Sequence, residues 1–412
     1  MIPRLIAPTI EQALQFSPVI FLCGARQTGK STLAQSIGAN KAMQYITLDD
    51  LTILQAAASD PAGFIASYDI PVIIDEVQRV PQLLIEIKRN VDANRKPGRF
   101  FLTGSANALM LPKISESLVG RMIIFTLYPF SFGEIRGIRH NIIDSLVNGT
   151  LKSIAYPQLP KNEIIASILS GGYPEIQKLS SSEQKRMWFQ SYVSTILQRD
   201  IRDLSKIEGI HEISQIFSFL AYQAGSLLNL SNLSRELGIP LMTLKRYVGL
   251  IETIFLIHRL PAWFANIGKR LIKSPKIFFN DSGLLAFLLG ASKETFANNP
   301  KIAGQLFENF IFQELIKQIS WSKAQPKLYY FRTASGKEVD FILETADSGI
   351  IGIKAKFKET ITTRDFDGLR ELARLTSRRF KAGYVLSLGN NVVPFGNNLF
   401  TLPLSAFLGV LE

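Results

Sequence analysis

The stretch FLCGARQTGKSTLAQ, Phe21 to Gln35, constrains this chain more than any other. An apolar run from Pro18 to Cys23 leads in and an amphipathic run from Lys30 leads out, so the glycines stand between a strand and a helix. Gly24-x-x-x-x-Gly29-Lys30-Ser31 is the spacing of a phosphate-binding loop. The loop from Gly24 through Ala25, Arg26, Gln27, Thr28, Gly29, Lys30 and Ser31 to Thr32 turns backbone amides toward phosphate oxygens at the positive end of the helix. The Lys30 ammonium then neutralises the β and γ phosphates, and the Ser31 hydroxyl is a ligand for Mg²⁺. ATP with Mg²⁺ is the expected cofactor pair.

Such a loop belongs to a sheet buried on both faces. Up to about residue 140 the chain alternates apolar runs with amphipathic ones: PVIFLCG, MQYITLDD, IPVIIDEV, RFFLTGS and RMIIFTL, with STLAQSI and LLIEIKRNV between them. That pattern predicts an α/β fold with a mostly parallel sheet. In IPVIIDEVQ the run Val72 to Ile74 ends in Asp75 and Glu76, where a buried strand emerges at the carboxyl edge beside the phosphates. Asp75 is assigned to the metal and Glu76 to the attacking water. A third strand, RFFLTGSAN, ends in Thr103, Ser105 and Asn107, which can orient the γ-phosphate or the water, or simply cap the loop.

GARQTGKST, LDD, IIDEVQ, FLTGSAN, SLVGR and LYPFSFGE, in this order, resemble the AAA-type ATPase domain of a large group of poorly characterised bacterial and archaeal ATPases. Members carry a C-terminal domain of unknown function related to PD-(D/E)XK nucleases, and the likeness covers nearly the whole chain. It implies that Asp75 and Glu76 are the acid pair and that the third strand carries a sensor residue. It also implies an arginine supplied by a neighbouring subunit of a homo-oligomer. Arg121 and Arg199 are the candidates, with an intrachain salt bridge as the alternative for either.

Four segments are expected: an ATPase domain over 1–140, a helical lid or adaptor over 141–220, a winged helix over 221–290 and a nuclease-like α+β domain over 291–412. LSNLSRELGIPLMTLKRYVGLIE spaces Leu233, Leu237, Leu244, Val248 and Ile251 as a helix-turn-helix with Gly238 at the turn. The next residues read as two strands around a basic tip. Lys245, Arg246, Lys269, Arg270 and Lys273 are the candidate phosphate contacts. A net charge of +12 favours nucleic acid, DNA first, as partner. Such modules also serve purely for packing.

The family counterparts of a nuclease centre are Glu308, Asp340 in GKEVDFIL, and the strand IIGIKAKF. Lys354-Ala355-Lys356 overlays the expected Glu-x-Lys in one register, and Gly352-Ile353-Lys354 in another. The first is favoured by the distance to RDFDGLREL. Both lose the metal-binding acid, so the domain is read as an inactive nuclease in which Glu308 and Asp340 pair with Lys354 or Lys356. Glu338 and Glu344 share the strand face of Asp340 and are possible substitutes for the acid.

The combined expectation is Mg²⁺-dependent ATP hydrolysis coupled to binding or remodelling of nucleic acid. The alternatives are an ATP-dependent protein-binding switch and an ATP-dependent nuclease. One cysteine, Cys23, excludes an internal disulfide or a thiolate zinc cluster. No run reaches the roughly 18 apolar residues of a spanning helix, so a cytosolic protein without a membrane partner is expected.

Overall fold

The computed structural model describes residues 2–105, 118, 120–151, 155–204, 210–264, 270 and 273–410. The chain falls into two units by its internal contacts: Met1–Pro129 with Thr253–Phe255, and Phe130–Glu252 with Leu256–Glu412.

The first unit is built on five short strands: β1 (Val19–Cys23), β2 (Gln44–Thr47), β3 (Val72–Asp75), β4 (Phe100–Gly104) and β5 (Met122–Thr126). They pair in parallel in the order β2-β3-β4-β1-β5. Every residue of β1, β3 and β4 is buried, as strands covered on both faces must be. Helix α1 (Lys30–Ala39) follows β1 and covers the sheet with Leu33, Ala34 and Ile37. Helix α2 (Leu83–Ala93) buries Leu83, Leu84, Ile87 and Val91, one helical stripe, in the core shared with Phe21, Ile74 and Leu102. This is the α/β P-loop fold expected from the alternating apolar runs.

The second unit opens with helices over Phe132–Arg136, Ile142–Asn148 and Lys161–Ser170, followed by a long helix, α3 (Ser182–Leu204), and a helix over Ile210–Tyr222. Helices α4 (Leu230–Leu237) and α5 (Leu241–Thr253) follow. Gly238, at φ 67°, ends α4 in the left-handed conformation that L side chains disfavour. Leu233, Ile239, Leu244, Val248 and Ile251 are buried between these helices and their neighbours. Strands β6 (Ile257–Leu260) and β7 (Lys276–Phe279) then pair antiparallel.

Helix α6 (Pro300–Ser320) leads into a mixed sheet of β8 (Lys327–Arg332), β9 (Glu338–Glu344), β10 (Ile350–Ala355), β11 (Phe380–Ser387) and β12 (Leu399–Pro403). The order is β12-β11-β10-β9-β8, with β8, β9 and β10 antiparallel and β10, β11 and β12 parallel. Helix α7 (Asp367–Thr376) lays Leu369 and Leu372 on this sheet beside Val339 and Ile342. The separate α+β part expected at the C-terminal end is present. Among the described residues no helix is long and apolar enough to cross a membrane.

Phe278, Phe312 and Phe341 join β7, α6 and β9, the first two stacked at 4.2 Å between ring centroids. All three are buried. Phe341→Ala is expected to cost about 3–5 kcal/mol through lost transfer energy and the residual cavity. Thermal unfolding measures it, and Phe341→Leu, which keeps more volume, loses less.

Candidate functional site

The P-loop runs from Gly24 to Gly29 between the end of β1 and the start of α1. Gly24 lies against Leu127, whose carbonyl oxygen would stand 2.3 Å from any Cβ there, and Gly29 takes φ 90°. Only glycine meets both demands. The Thr28 hydroxyl ties the loop by donating to the Ala25 carbonyl at 2.9 Å. Lys30 is buried, with Nζ donating to the carbonyls of Gly24 at 3.1 Å and Ala25 at 3.0 Å. Burial pushes its pKa down, opposed by the charges of Glu76 and Asp75. Arg26 and Gln27 lie on the rim of the loop, partly buried and exposed respectively, and Thr32 is exposed on the first turn of α1.

Because β4 lies between β1 and β3, the ends of all three strands converge. Asp75 Oδ1 accepts from Ser31 Oγ at 3.1 Å and also from the Thr103 hydroxyl, while Oδ2 accepts from the Tyr45 hydroxyl at 2.7 Å. The next backbone amide, Glu76 N, donates to Thr103 Oγ1 at 3.3 Å. Glu76 sits at φ 57°, ψ 44°, a left-handed turn that ends the strand abruptly. Its carboxylate accepts from Gln78, whose amide nitrogen also donates to Ser105 Oγ at 3.1 Å.

A hydroxyl and a carboxylate, both hard oxygen donors, therefore stand together at the mouth of the loop, a set that suits Mg²⁺ completed by substrate phosphates. Ser31, Asp75, Glu76, Thr103 and Ser105 are brought together as the sequence implied. Asn107 lies outside the described residues.

Two polar partners had escaped the sequence reading. Tyr45 on β2 reaches Asp75, and its phenol is pushed up to about 12, first by burial and then by that hydrogen bond. Gln78 lies just past the acid pair. The only prior signal for either was proximity, in MQYITLDD and IIDEVQ, to residues already chosen.

The second unit holds a different charged centre. Lys276, at the start of β7 and 2% exposed, donates to Glu308 Oε1 on α6 at 2.9 Å and contacts Glu338 on β9. The nearby charges of Glu308, Asp340 and Glu338 outweigh burial and push its pKa above the usual lysine range. Glu308 is pushed up to about 7, by desolvation and by carboxylates that share one cation.

This corrects the expected pairing: the neutralising lysine is Lys276, not Lys354 or Lys356. Asp340 Oδ2 accepts instead from the backbone amide of Ala355 at 2.8 Å. Lys354 and Lys356 stand at the partly buried end of β10, without an ion pair among the described residues. Glu344, offered as a substitute acid, is drawn away by Arg270 at 2.6 Å and Arg379 at 2.7 Å. Among the described residues no three His, Cys, Asp or Glu side chains converge to hold a metal ion.

One further expectation is revised. Arg270 is not a free phosphate contact: its side chain is 10% exposed, paired with Glu344 and set over the rings of Trp263 and Tyr329. For Arg121 the intrachain salt bridge given as the alternative is present, its guanidinium donating to Asp92 Oδ2 at 3.0 Å. Lys245, Arg246 and Lys273 are exposed. Lys269 and the side chain of Arg199 lie outside the described residues.

Residues 16–136 match a family described as "AAA domain". Residues 161–295 and 303–407 match two domains of unknown function, DUF8612 and DUF4143. The uncharacterized protein Rv2008c of Mycobacterium tuberculosis is 31% identical over 340 residues, covering 82% of this chain and 70% of its own. The chain belongs to the family of that protein. An uncharacterized protein of Haemophilus influenzae is 25% identical over 382 residues, covering 87% of this chain and 88% of the relative. The Walker-type ATPase PABY2304 of Pyrococcus abyssi aligns in structure with a TM-score of 0.43 at 14% identity, covering 70% of this chain and 96% of that one. The AAA domain and the P-loop built into it make this chain a P-loop ATPase of AAA type.

The upward shift of Glu308 has a sign in stability. Between the ordinary glutamate pKa of 4.5 and about 7 the unfolded chain releases a proton that the folded chain keeps, so its contribution is full below 4.5 and is lost as pH rises through 7. Thermal melts of wild type and Glu308→Gln from pH 4 to 8 are expected to diverge in this window. Wild type should lose on the order of 1–3 kcal/mol relative to the variant.

Proposed function

We propose that the protein hydrolyses ATP with Mg²⁺ at the P-loop and couples this cycle to nucleic acid, DNA being favoured. The observation that carries hydrolysis is the junction of Lys30, Ser31, Asp75, Glu76 and Thr103 at the carboxyl edge of one parallel sheet. Loop amides and Lys30 hold the β and γ phosphates. Mg²⁺ held by Ser31 and Asp75 supplies charge neutralisation on the phosphate oxygens. Glu76 orients a water for attack on the γ-phosphorus and accepts its proton, while the bond to the bridging oxygen breaks and ADP leaves. Thr103 steadies both acids through Asp75 Oδ1 and the Glu76 amide.

Lys30→Ala is expected to abolish ATP binding. Glu76→Gln keeps binding and lowers kcat by about a hundredfold or more. Equilibrium binding of a fluorescent ATP analogue, run beside a phosphate-release assay, separates the two, and normal turnover by Glu76→Gln refutes the assignment of the base.

The nucleic-acid reading is supported by Lys245 and Arg246, exposed on α5 without carboxylate partners among the described residues, and by the net charge of +12. The pairing of Lys276 with Glu308 and Glu338 supports a nuclease-like domain that does not cut, since an ammonium set against the carboxylates opposes a divalent metal there. A homo-oligomer is part of the same proposal. Duplex or branched DNA should stimulate ATP turnover, with the effect fading steeply as salt rises and no strand cleavage in Mg²⁺ or Mn²⁺. Lys245→Ala/Arg246→Ala should weaken DNA binding and reduce the log–log salt slope by about one per lost phosphate contact. A flat response to every DNA and RNA form favours the protein-binding switch instead.

A further inference from the structure

The geometry points to Gln78 as the residue that positions Glu76 for hydrolysis. Directly after Glu76 the chain enters a 3₁₀ turn, Val77–Arg79, from which the Gln78 side chain returns to the Glu76 carboxylate. The turn is anchored by Arg79, which donates to the Leu48 carbonyl at 2.8 Å and to Asp49 at 2.6 Å. From there one amide nitrogen of Gln78 reaches both Glu76 Oε2 and Ser105 Oγ, linking the base at the end of β3 to the end of β4.

The orientation of this amide is dictated by charge. A carboxylate only accepts, so the nitrogen must face Glu76. The other end, Gln78 Oε1, is buried and has no hydrogen-bond partner among the described residues. A buried acceptor without a partner costs stability, and here that cost accompanies the amide's donation to Glu76.

The fold also makes room for the amide. Gly104, the last residue of β4, lies directly beneath it: a Cβ there would stand 2.7 Å from Gln78 Oε1 and 3.0 Å from the Phe21 ring. A bare glycine backbone and an anchored turn thus seat a side chain whose amide nitrogen donates to Glu76 and Ser105. Gln78 acts through Glu76. It restricts the carboxylate to the rotamer that faces the γ-phosphate side of the site, so that the base is in register when the water attacks.

This inference rests on the hydrolysis reading above, and steady-state ATP turnover with KM and kcat determined separately keeps the two apart. A wild-type chain that binds ATP without turning it over refutes that reading. If wild type does turn over, Gln78→Met, similar in length and without a donor, is expected to lower kcat about tenfold with KM for ATP within about twofold. Gly104→Ala, which keeps Gln78 and disturbs its seat, should give the same kcat-only defect.

In a Glu76→Gln background neither change should reduce kcat further, because residues that act as a unit are not additive. Thermal melting and analogue binding confirm that the variants are folded and loaded. An unchanged or raised kcat in Gln78→Met overturns the inference, as does a KM that rises in step. The same fractional loss persisting in Glu76→Gln overturns it too.

Discussion

Parallel pairing of β4 between β1 and β3 is the constraint on which the rest of the first unit depends. It aligns Phe100 with both Val19 and Val72, so the three strands run out at one level. That level is where Ser31, Asp75, Glu76 and Thr103 meet. A slip of one residue in β3 would turn Asp75 away from Ser31 and Thr103, because successive side chains alternate between faces. The register of the sheet is therefore what brings the loop and the acids together.

The second unit manages charge by a different device. Lys276 is buried at the edge of a layer of aromatic rings, and two carboxylates from separate elements, α6 and β9, close on it. Deleting the cation leaves two partly buried carboxylates without their counter-charge, which destabilises the folded state. The cluster fastens the β6–β7 hairpin to the C-terminal sheet through ionic contacts, beside the packing of Phe278 on Phe312 and Phe341. Glu344 plays a comparable part, held by Arg270 and Arg379 with the indole of Trp263 donating at 3.3 Å.

Local patterns were legible where they are self-contained. The P-loop spacing, the strand leading into Asp75 and Glu76, and the turn at Gly238 each depend on a few consecutive residues, and each stands where the pattern put it. Long side chains were not legible in the same way. Arg270 looked like a basic tip because its neighbours Lys269 and Lys273 are basic, yet it is turned inward to Glu344, 74 residues away. Lys276 was not singled out among the basic residues of its segment, and nothing nearby in sequence announced Glu308 or Glu338. Lys354 and Lys356 drew attention because they overlay the expected Glu-x-Lys, but a third element, β7, supplies the cation.

The sequence by itself determined that this chain builds a phosphate-binding loop on a buried parallel sheet with an acid pair at its edge. Glycine conformations, strand periodicity and the chemistry of Lys-Ser and Asp-Glu are properties of short segments, and they carry their meaning without the rest of the chain. Only the tertiary structure decided which charges meet: Tyr45 with Asp75, Gln78 with Glu76 and Ser105, Lys276 with Glu308 and Glu338. An ion pair or a side-chain hydrogen bond is chosen by distance in space and by the water excluded around it, and neither quantity exists until the strands have been laid side by side.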